Sequence, residues 1–541
     1  MRKRGLALTM ALAMALLTAC SGGTAEETTV SSQETVAEES GGETAAPTQE
    51  GEKKEVDTIR IGVGSMGENF HPCKGMGIQD LRVMYNIHDR LMYQDKNGEI
   101  QPQLAESWEW IDDTTFEMKL KQGVKFHNGE DMTADDVKFS FDQGLSGELG
   151  SAVTYVIDPV ESVEAVDDYT VRLHLKWPDS VLETRLSATR TVYILPKDYF
   201  NEVGGIEGYN AAPVGCGPFK VAEIMQGDRI RLERFEDYHG DKPYVKNLEF
   251  IKYGEDATRM TALLNGEVDI INDIKNDLVS NFQGDPNIKT HTTPVELFHL
   301  YIYNTEEGPT SSKLLRQAMN MAIDRQLLVD TLWGEGAYVP NGFQVESFGD
   351  MYIEDYQPVQ YDPERAKELV AESGYDGSVI ELQMVPNYYM NDIQAAEVCV
   401  DMWKQIGVNV QIVYTETMQS DFPGLRTWSC AIRFNDPLGA IWMQFPNQDE
   451  GSVNWQNPPA EVQEVGNIMK TSQDLEERRE AARRYLEIMD DDVPATYLYI
   501  PEEIWGIRTD RNFEWDPYWT NYQESVRNLV SLEVHASLDK S

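Results

Sequence analysis

Residues 104–141 read LAESWEWIDDTTFEMKLKQGVKFHNGEDMTADDVKFSF. Trp108 and Trp110 stand in an alternating run, Asp112-Asp113 form a turn, and Phe116, Met118 and Leu120 resume the alternation at period two. That is the spacing of half-buried strands, so the segment predicts two paired strands. Val124-Lys125-Phe126 and the turn residues Asn128-Gly129 follow. Thr133 is then placed to cap a helix, with Asp136 at the third helical position and Val137 and Phe141 on one face. The reading is strand, strand, turn, capped helix.

In that order, LAESW, an aromatic strand, GVKFHNGE and TADDVKFSF resemble the signature of the family 5 extracellular solute-binding proteins of ABC importers, which include peptide-, nickel- and opine-binding members. Further matches follow along the chain. Asn69-Phe70-His71-Pro72 resembles the family's turn after the first strand, and 215–219 (GCGPF) resembles its GTGPY turn with Cys216 in place of Thr. Residues 266–269 (GEVD) and 316–325 (RQAMNMAIDR) match two more segments. The resemblance covers about 58–534. It implies an α/β fold with two lobes of the periplasmic-binding-protein type, in the class II, large three-subdomain variant, and a ligand cleft between the lobes. The implied boundaries are 56–95, 196–296 and 506–541 for the first lobe, 96–195 for a subdomain inserted in it, and 297–505 for the second lobe.

Length and charge agree with a large exported binder. At 541 residues the chain is ample for two or three cores. Its 92 acidic residues against 46 basic ones give a formal −46, which repels phosphate and excludes nucleic-acid binding as a role. Arg2, Lys3 and Arg4 precede an apolar run at 6–17 that is too short to span a bilayer, and Leu17-Thr18-Ala19-Cys20 resembles a bacterial lipobox. Residues 1–19 are therefore expected to be a signal peptide and Cys20 the lipidation site. Such a protein is tethered to the outer face of the cytoplasmic membrane, which is periplasmic if the cell has an outer membrane. From 21 to 55 the chain carries nine glutamates, two lysines and almost no apolar residues, the composition of a disordered stalk.

Motifs of other chemistries fail in context. Residues 62–67 (GVGSMG) match GxGxxG, but Pro72 follows where a dinucleotide fold needs a helix. GxSxG, HExxH and GxxxxGK[ST] are absent, so no cofactor or catalytic residue is assigned, and any ATPase is a separate chain. With so many carboxylates an extracellular hydrolase remains a rival reading, but no spacing singles out a pair. Cys73, Cys216, Cys399 and Cys430 lie far apart with no CxxC, which argues against zinc. Cys399 reads as a buried thiol, and the eight histidines are scattered along the sequence, so no metal site is assigned.

The remaining pattern alternates strands and helices. Strands are expected at 58–64, 171–175, 230–232 and 297–304, and a helix at 79–93 and a shorter one at 258–265. Asp362-Pro363-Glu364 opens a helix that Gly374 closes. Strand 380–385, helix 392–406 and strand 408–414 repeat the βαβ pattern. A charged helix at 474–489, the segment 496–500, a final strand pair and the terminus complete the chain.

The resemblance points to 428–445 (WSCAIRFNDPLGAIWMQF) as the ligand-lining strand and its Asp-Pro turn. Peptide-binding members carry an Asp three residues before that turn's acid, where it meets the α-ammonium. Here that position is Arg433, three before Asp436. A guanidinium fork suits carboxylate or phosphate, which favours an anionic, opine-like or acylated ligand. The competing reading pairs Arg433 with Asp436 or another acid. Trp428, Trp442, Tyr388, Tyr389, Tyr301 and Tyr303 are the candidate aromatic contacts, and Asp80 or Arg82 a polar contact from the helix after the first strand. The expected partners are this small-molecule or peptide ligand and ABC permease subunits, with the chain a monomer. A peptide receptor with another amino-terminal contact, or a sensor, stays open.

Overall fold

The computed structural model describes residues 55–515 apart from 75–76, 96–97, 148–150, 296, 419–420, 446–453, 512 and 514. The signal peptide, Cys20, the acidic stalk and 516–541 lie outside the described residues. Among the described residues eighteen strands follow in chain order. They are β1 (Val56–Val63), β2 (Met92–Gln94), β3 (Ile100–Pro102), β4 (Ala105–Asp112), β5 (Thr115–Leu120), β6 (Val160–Asp167), β7 (Thr170–Leu175), β8 (Phe219–Met225) and β9 (Arg229–Arg234). Then come β10 (Val245–Lys252), β11 (Ile270–Ile271), β12 (Ile288–Pro294), β13 (Leu297–Tyr303), β14 (Ile380–Met384), β15 (Val410–Tyr414), β16 (Leu425–Ala431), β17 (Ala495–Tyr499) and β18 (Glu502–Arg508).

These strands form two large mixed sheets and two small antiparallel ones. The first has the order β12-β18-β11-β1-β10-β9-β8, and the second β15-β14-β16-β13-β17. In the second sheet Leu300 and Ile302 face one apolar cluster and Tyr301 and Tyr303 the other, so β13 is buried on both faces, as a sheet covered by helices on both sides requires. The chain crosses from the first sheet to the second just after β12 and returns just before β18. The Val295 N–H donates to the Pro501 carbonyl at 2.8 Å, which ties the two crossings together.

The quoted stretch folds as its pattern predicts. β4 and β5 pair around the Asp112 turn in the sheet β4-β5-β7-β6, and the helix Ala134–Leu145 follows. The Thr133 N–H donates to the Asp136 carboxylate at 2.9 Å, and the other Asp136 oxygen accepts from the Lys197 N–H at 2.9 Å. Burial raises the Asp136 carboxyl above its usual range despite these bonds. Phe116, Met118 and Leu120 are fully buried, whereas β4 is the sheet edge and Trp110 stays 39% exposed.

Two expectations change. The helix expected over 79–93 is Ile78–Ile87, because His88, Asp89 and Arg90 are buried in extended backbone that a helix cannot serve. There the Asp89 carboxylate accepts from Gln103 Nε2 (2.6 Å), Tyr238 Oη (3.0 Å) and His239 Nε2 (2.8 Å). A Cβ on Gly215 would overlap the Ile87 carbonyl, so the 215–219 turn needs glycine where it closes over this helix end. Second, a strand pair expected after residue 500 is one strand, β18, among the described residues. It lies wholly in the first sheet, so that sheet resumes at Glu502 and not at 506. The four cysteines among the described residues are all free and buried, as read for Cys399, and burial pushes the Cys73 and Cys399 thiols up to about 12.

Candidate functional site

Ligands of open α/β sheets sit beyond the carboxyl ends of the parallel strands. In the second sheet β14, β15 and β16 run parallel, and their carboxyl ends lie on the side of the crossing to the first sheet, since Ala431 pairs with Leu297. β14 pairs only Leu382 and Gln383 with Leu425 and Arg426. From Thr427 to Ala431, β16 is therefore bonded to β13 on one side, and among the described residues no strand pairs with it on the other. Such an edge offers unpaired main-chain donors and acceptors to an extended ligand.

A tight turn follows β16. Its shape is fixed by the Arg433 N–H donating to the Gly439 carbonyl at 2.7 Å and by the Asp436 side chain accepting from the Leu438 N–H at 2.9 Å. A Cβ on Gly439 would overlap the Phe434 carbonyl. The Arg185 guanidinium of the inserted region lies 4.6 Å from the Phe434 ring, and Asn435 Nδ2 lies 3.4 Å from Gln94 Oε1. Farther out, Lys470 sits 4.2 Å over the Trp177 ring and 3.9 Å from Asp158. Val156, Val181 and Ala188 join the apolar cluster of the second sheet, so the inserted region is packed onto that lobe.

Arg433 does not pair with Asp436. The Asp436 carboxylate is held by Arg478 at 2.7 Å, both side chains at most 5% exposed. Arg433 is half-buried, has no ion pair among the described residues, and its Nη1 is buried without a hydrogen-bond partner. A buried donor left unmet costs free energy that an incoming acceptor restores.

The other candidates separate into two groups. Tyr388 and Tyr389 follow β14 with their rings 4.8 Å apart, Tyr388 is 60% exposed, and the Tyr389 ring is 5.0 Å from His299. Trp428 is half-buried and donates through Nε1 to Gln444 at 3.0 Å. By contrast Tyr301, Tyr303 and Trp442 are core residues. Tyr301 packs 5.7 Å from Trp403, Tyr303 bonds Thr496 at 3.0 Å, and Trp442 lies over Gly466 and 5.7 Å from Tyr485. The alternation of Tyr301 and Tyr303 in β13 marks a sheet buried on both faces. Asp80 is likewise committed, since its Oδ1 accepts from the Glu68 and Asn69 N–H groups at 2.8 and 3.1 Å and fixes the loop after β1. Arg82 is buried 3.4 Å from Asp273, beside Glu503. Burial, then the Asp273 charge, raises Glu503 to about 8.

Sequence reasoning missed His299 and Arg426. His299 accepts or donates at Nδ1 with Tyr499 Oη at 2.8 Å, its Nε2 is buried without a partner, and desolvation lowers it to about 3. Arg426 is stacked by Phe422 (5.1 Å) and Trp428 (4.5 Å). The histidines, scattered in sequence, partly gather in space, with His71 and His88 both about 6.1 Å from the Tyr209 ring and His239 on Asp89. Even so, no group of three or more metal-ligating side chains is placed to hold an ion among the described residues.

Similarity to known proteins agrees with this geometry. Residues 99–452 match the family described as bacterial extracellular solute-binding proteins, family 5 middle. The chain is 28% identical over 357 residues to the dipeptide-binding protein of Escherichia coli (strain K12), covering 61% of this chain and 66% of that one. Against the oligopeptide-binding protein AppA of Bacillus subtilis (strain 168) it is also 28% identical, over 493 residues, covering 81% and 86%. The periplasmic binding protein DppA of Helicobacter pylori, solved with the peptide STSA, superposes with a TM-score of 0.78 at 22% identity over 90% of this chain and 99% of that one. No helix among the described residues is long and apolar enough to cross a membrane. With the family model matching most of its length and the two-lobed α/β fold in place, the chain belongs to the family 5 bacterial extracellular solute-binding proteins.

Proposed function

We propose that this protein is a lipid-anchored extracellular receptor that captures an extended, acid-bearing small solute, peptide-like or opine-like, and delivers it to an ABC permease. The observation that carries this reading is Arg433. It lies just past the end of a strand edge that no described strand pairs, with a buried guanidinium nitrogen that no acid among the described residues answers. The edge suits a ligand with amide groups, and the fork suits a carboxylate beside them. Phe434 and Asn435 of the same turn carry contacts to Arg185 and Gln94, so an anion that orders Arg433 also favours closure. The protein acts as a monomer, tethered through Cys20 and carrying no reaction of its own.

A thermal-shift screen tests this. Alanine peptides of two to five residues are compared with the same peptides bearing an N-terminal succinyl group. The reading expects stabilisation by the succinyl series that Arg433→Gln abolishes. Broad stabilisation by free peptides, unaffected by Arg433→Gln, establishes instead a peptide receptor with another amino-terminal contact.

A further inference from the structure

The two passages between the lobes run side by side, with Pro294 at the end of β12 paired to Glu502 at the start of β18. The Glu502 side chain is 4% exposed and has no ion pair among the described residues. Three N–H donors hold its carboxylate instead, as a buried charge requires. Oε1 accepts from Asn276 Nδ2 and from the Gly334 N–H, both at 2.6 Å, and Oε2 accepts from the Gly336 N–H at 2.7 Å. Asn276 opens the short helix Asn276–Phe282, whose Phe282 packs in one cluster with Ile504 of β18, so this donor belongs to the first lobe. Gly334 and Gly336 follow the helix Arg325–Leu332 of the second lobe, where Trp333 and Ala337 join the same core as Tyr301 and Tyr303. The fit leaves no slack. A Cβ on Gly334 would stand 2.8 Å from Oε1, and one on Gly336 2.6 Å from the Thr292 methyl group and 2.9 Å from Oε2. Glycine at both positions is therefore what lets two main-chain donors reach a carboxylate of the other lobe. The Tyr338 and Ile500 backbones then exchange N–H···O bonds at 3.1 and 2.9 Å, so 334–338 forms a third segment at the lobe junction beside the two chain passages.

The same loop also reaches toward the cleft. The Leu332 carbonyl accepts from Asn391 Nδ2 at 2.8 Å, and Asn391 belongs to the loop after β14 that carries Tyr388 and Tyr389. A second route runs through rings. Tyr389 lies 5.0 Å from His299, His299 Nδ1 is 2.8 Å from Tyr499 Oη, and the Tyr499 ring is 5.3 Å from Trp333. We infer that Glu502 is a conformational clamp at the lobe junction, and that by gripping Gly334 and Gly336 it ties the swing of the lobes to the loop on which Tyr388 and Tyr389 rest. The importance of those two tyrosines to capture rests on the cleft reading given above, whereas the grip itself needs no ligand. With its bonds made, the second lobe is held on the first by three segments. With them broken, the junction loses the third segment and the lobes sample a wider range of arrangements.

The experiment uses the ligand-free mature protein carrying Cys20→Ser, with one spin label on each lobe at the exposed positions Thr258→Cys and Glu397→Cys, since the four described cysteines are buried. Double electron–electron resonance reads the distance distribution between the lobes, and hydrogen exchange reads the amides of 334–338 and 388–392. Both are run on the otherwise unchanged protein, Glu502→Gln, Gly336→Ala and Asn276→Ala, with the melting temperature of each. Glu502→Gln keeps the side-chain shape but presents an NH₂ group where a main-chain donor needs an acceptor. It should cut protection at 334–338 about 10- to 100-fold, the equivalent of losing a hydrogen bond to a charged group. It should also add distances outside the range of the unchanged protein and speed exchange at 388–392, and Gly336→Ala should do the same. Asn276→Ala removes a bond within the first lobe and should leave the distance distribution as it was, whatever it does to the melting temperature. If Glu502→Gln lowers protection and melting temperature but leaves the distances unchanged, Glu502 is a structural staple of its loop and the inference falls. It falls equally if Asn276→Ala broadens the distances as much as Glu502→Gln does. Unchanged exchange at 388–392 in Glu502→Gln overturns the tie to the cleft. No ligand enters these measurements, so the Arg433 reading stands or falls apart from them.

Discussion

His127 provides a sharp test of how the first lobe and the inserted region are joined. Its Nε2 donates to the Gly217 carbonyl at 2.9 Å and its Nδ1 accepts from the Gly215 N–H at 3.2 Å, so the neutral ring is held by the 215–219 turn with the Phe235 ring 5.0 Å away. Desolvation lowers its pKa from 6.5 to about 4, with Lys220 adding to the shift and Asp89 and the Gly217 carbonyl opposing it. The folded pKa is depressed, so the unfolded chain takes the proton first. Stability from this group is full above about pH 6.5 and is lost as pH falls from there toward 4. Between pH 7.5 and 5 the loss is about 1.5 pH units below the unfolded value, or about 2 kcal/mol. Glutamine can accept from Gly215 and donate to Gly217 without titrating. Urea unfolding of the wild type and His127→Gln at both pH values should therefore show a variant whose stability falls by about 2 kcal/mol less on acidification. Equal losses in the two proteins would refute the view that His127 is held neutral.

Other consequences are as direct. Asp436→Asn leaves Arg478 buried without its partner and should cost about 3–5 kcal/mol in chemical unfolding, with the Arg433 turn loosened as well. Gly466→Ala places a methyl group in the Trp442 ring and should cost about 1–3 kcal/mol, whereas Trp442 substitutions that fill the same volume should leave ligand affinity nearly unchanged, as befits a core residue. Phe434→Ala removes the surface under Arg185 and should speed ligand dissociation more than it slows association in stopped-flow measurements. A thiol reagent should label none of the four described cysteines until the protein is unfolded, because all are buried and the Cys73 and Cys399 thiols are raised to about 12.

Much of the fold was legible because its signals are local. The Thr133–Asp136 cap, the Asp362-Pro363 helix start and the Gly374 stop are one-turn devices, and the structure has each of them, with Asp362 accepting from the Arg365 N–H at 2.9 Å and Gly374 at φ +72°. What failed was long-range. Nothing near residue 88 announces that Asp89 will be met by Gln103, Tyr238 and His239, which is what ends the helix early. The alternation in β13 was read correctly, but periodicity does not tell a pocket face from a second core, so Tyr301 and Tyr303 were assigned to the ligand. Arg433 stands out in the sequence because it breaks a family pattern. Arg426 gives a weaker sign, a charged residue on the strand face otherwise occupied by Trp428 and Cys430, and its stacking between Phe422 and Trp428 appears only once the chain is folded.

The central claim is that the cleft takes a ligand bearing an acid at Arg433. Native mass spectrometry of the protein purified without a denaturing step, followed by identification of the small molecule released on unfolding, addresses it most directly. The account predicts a bound compound with an acidic group in place of a free α-ammonium, present in the wild type and absent from Arg433→Gln. A compound with a free amino terminus, retained equally by both proteins, would contradict it.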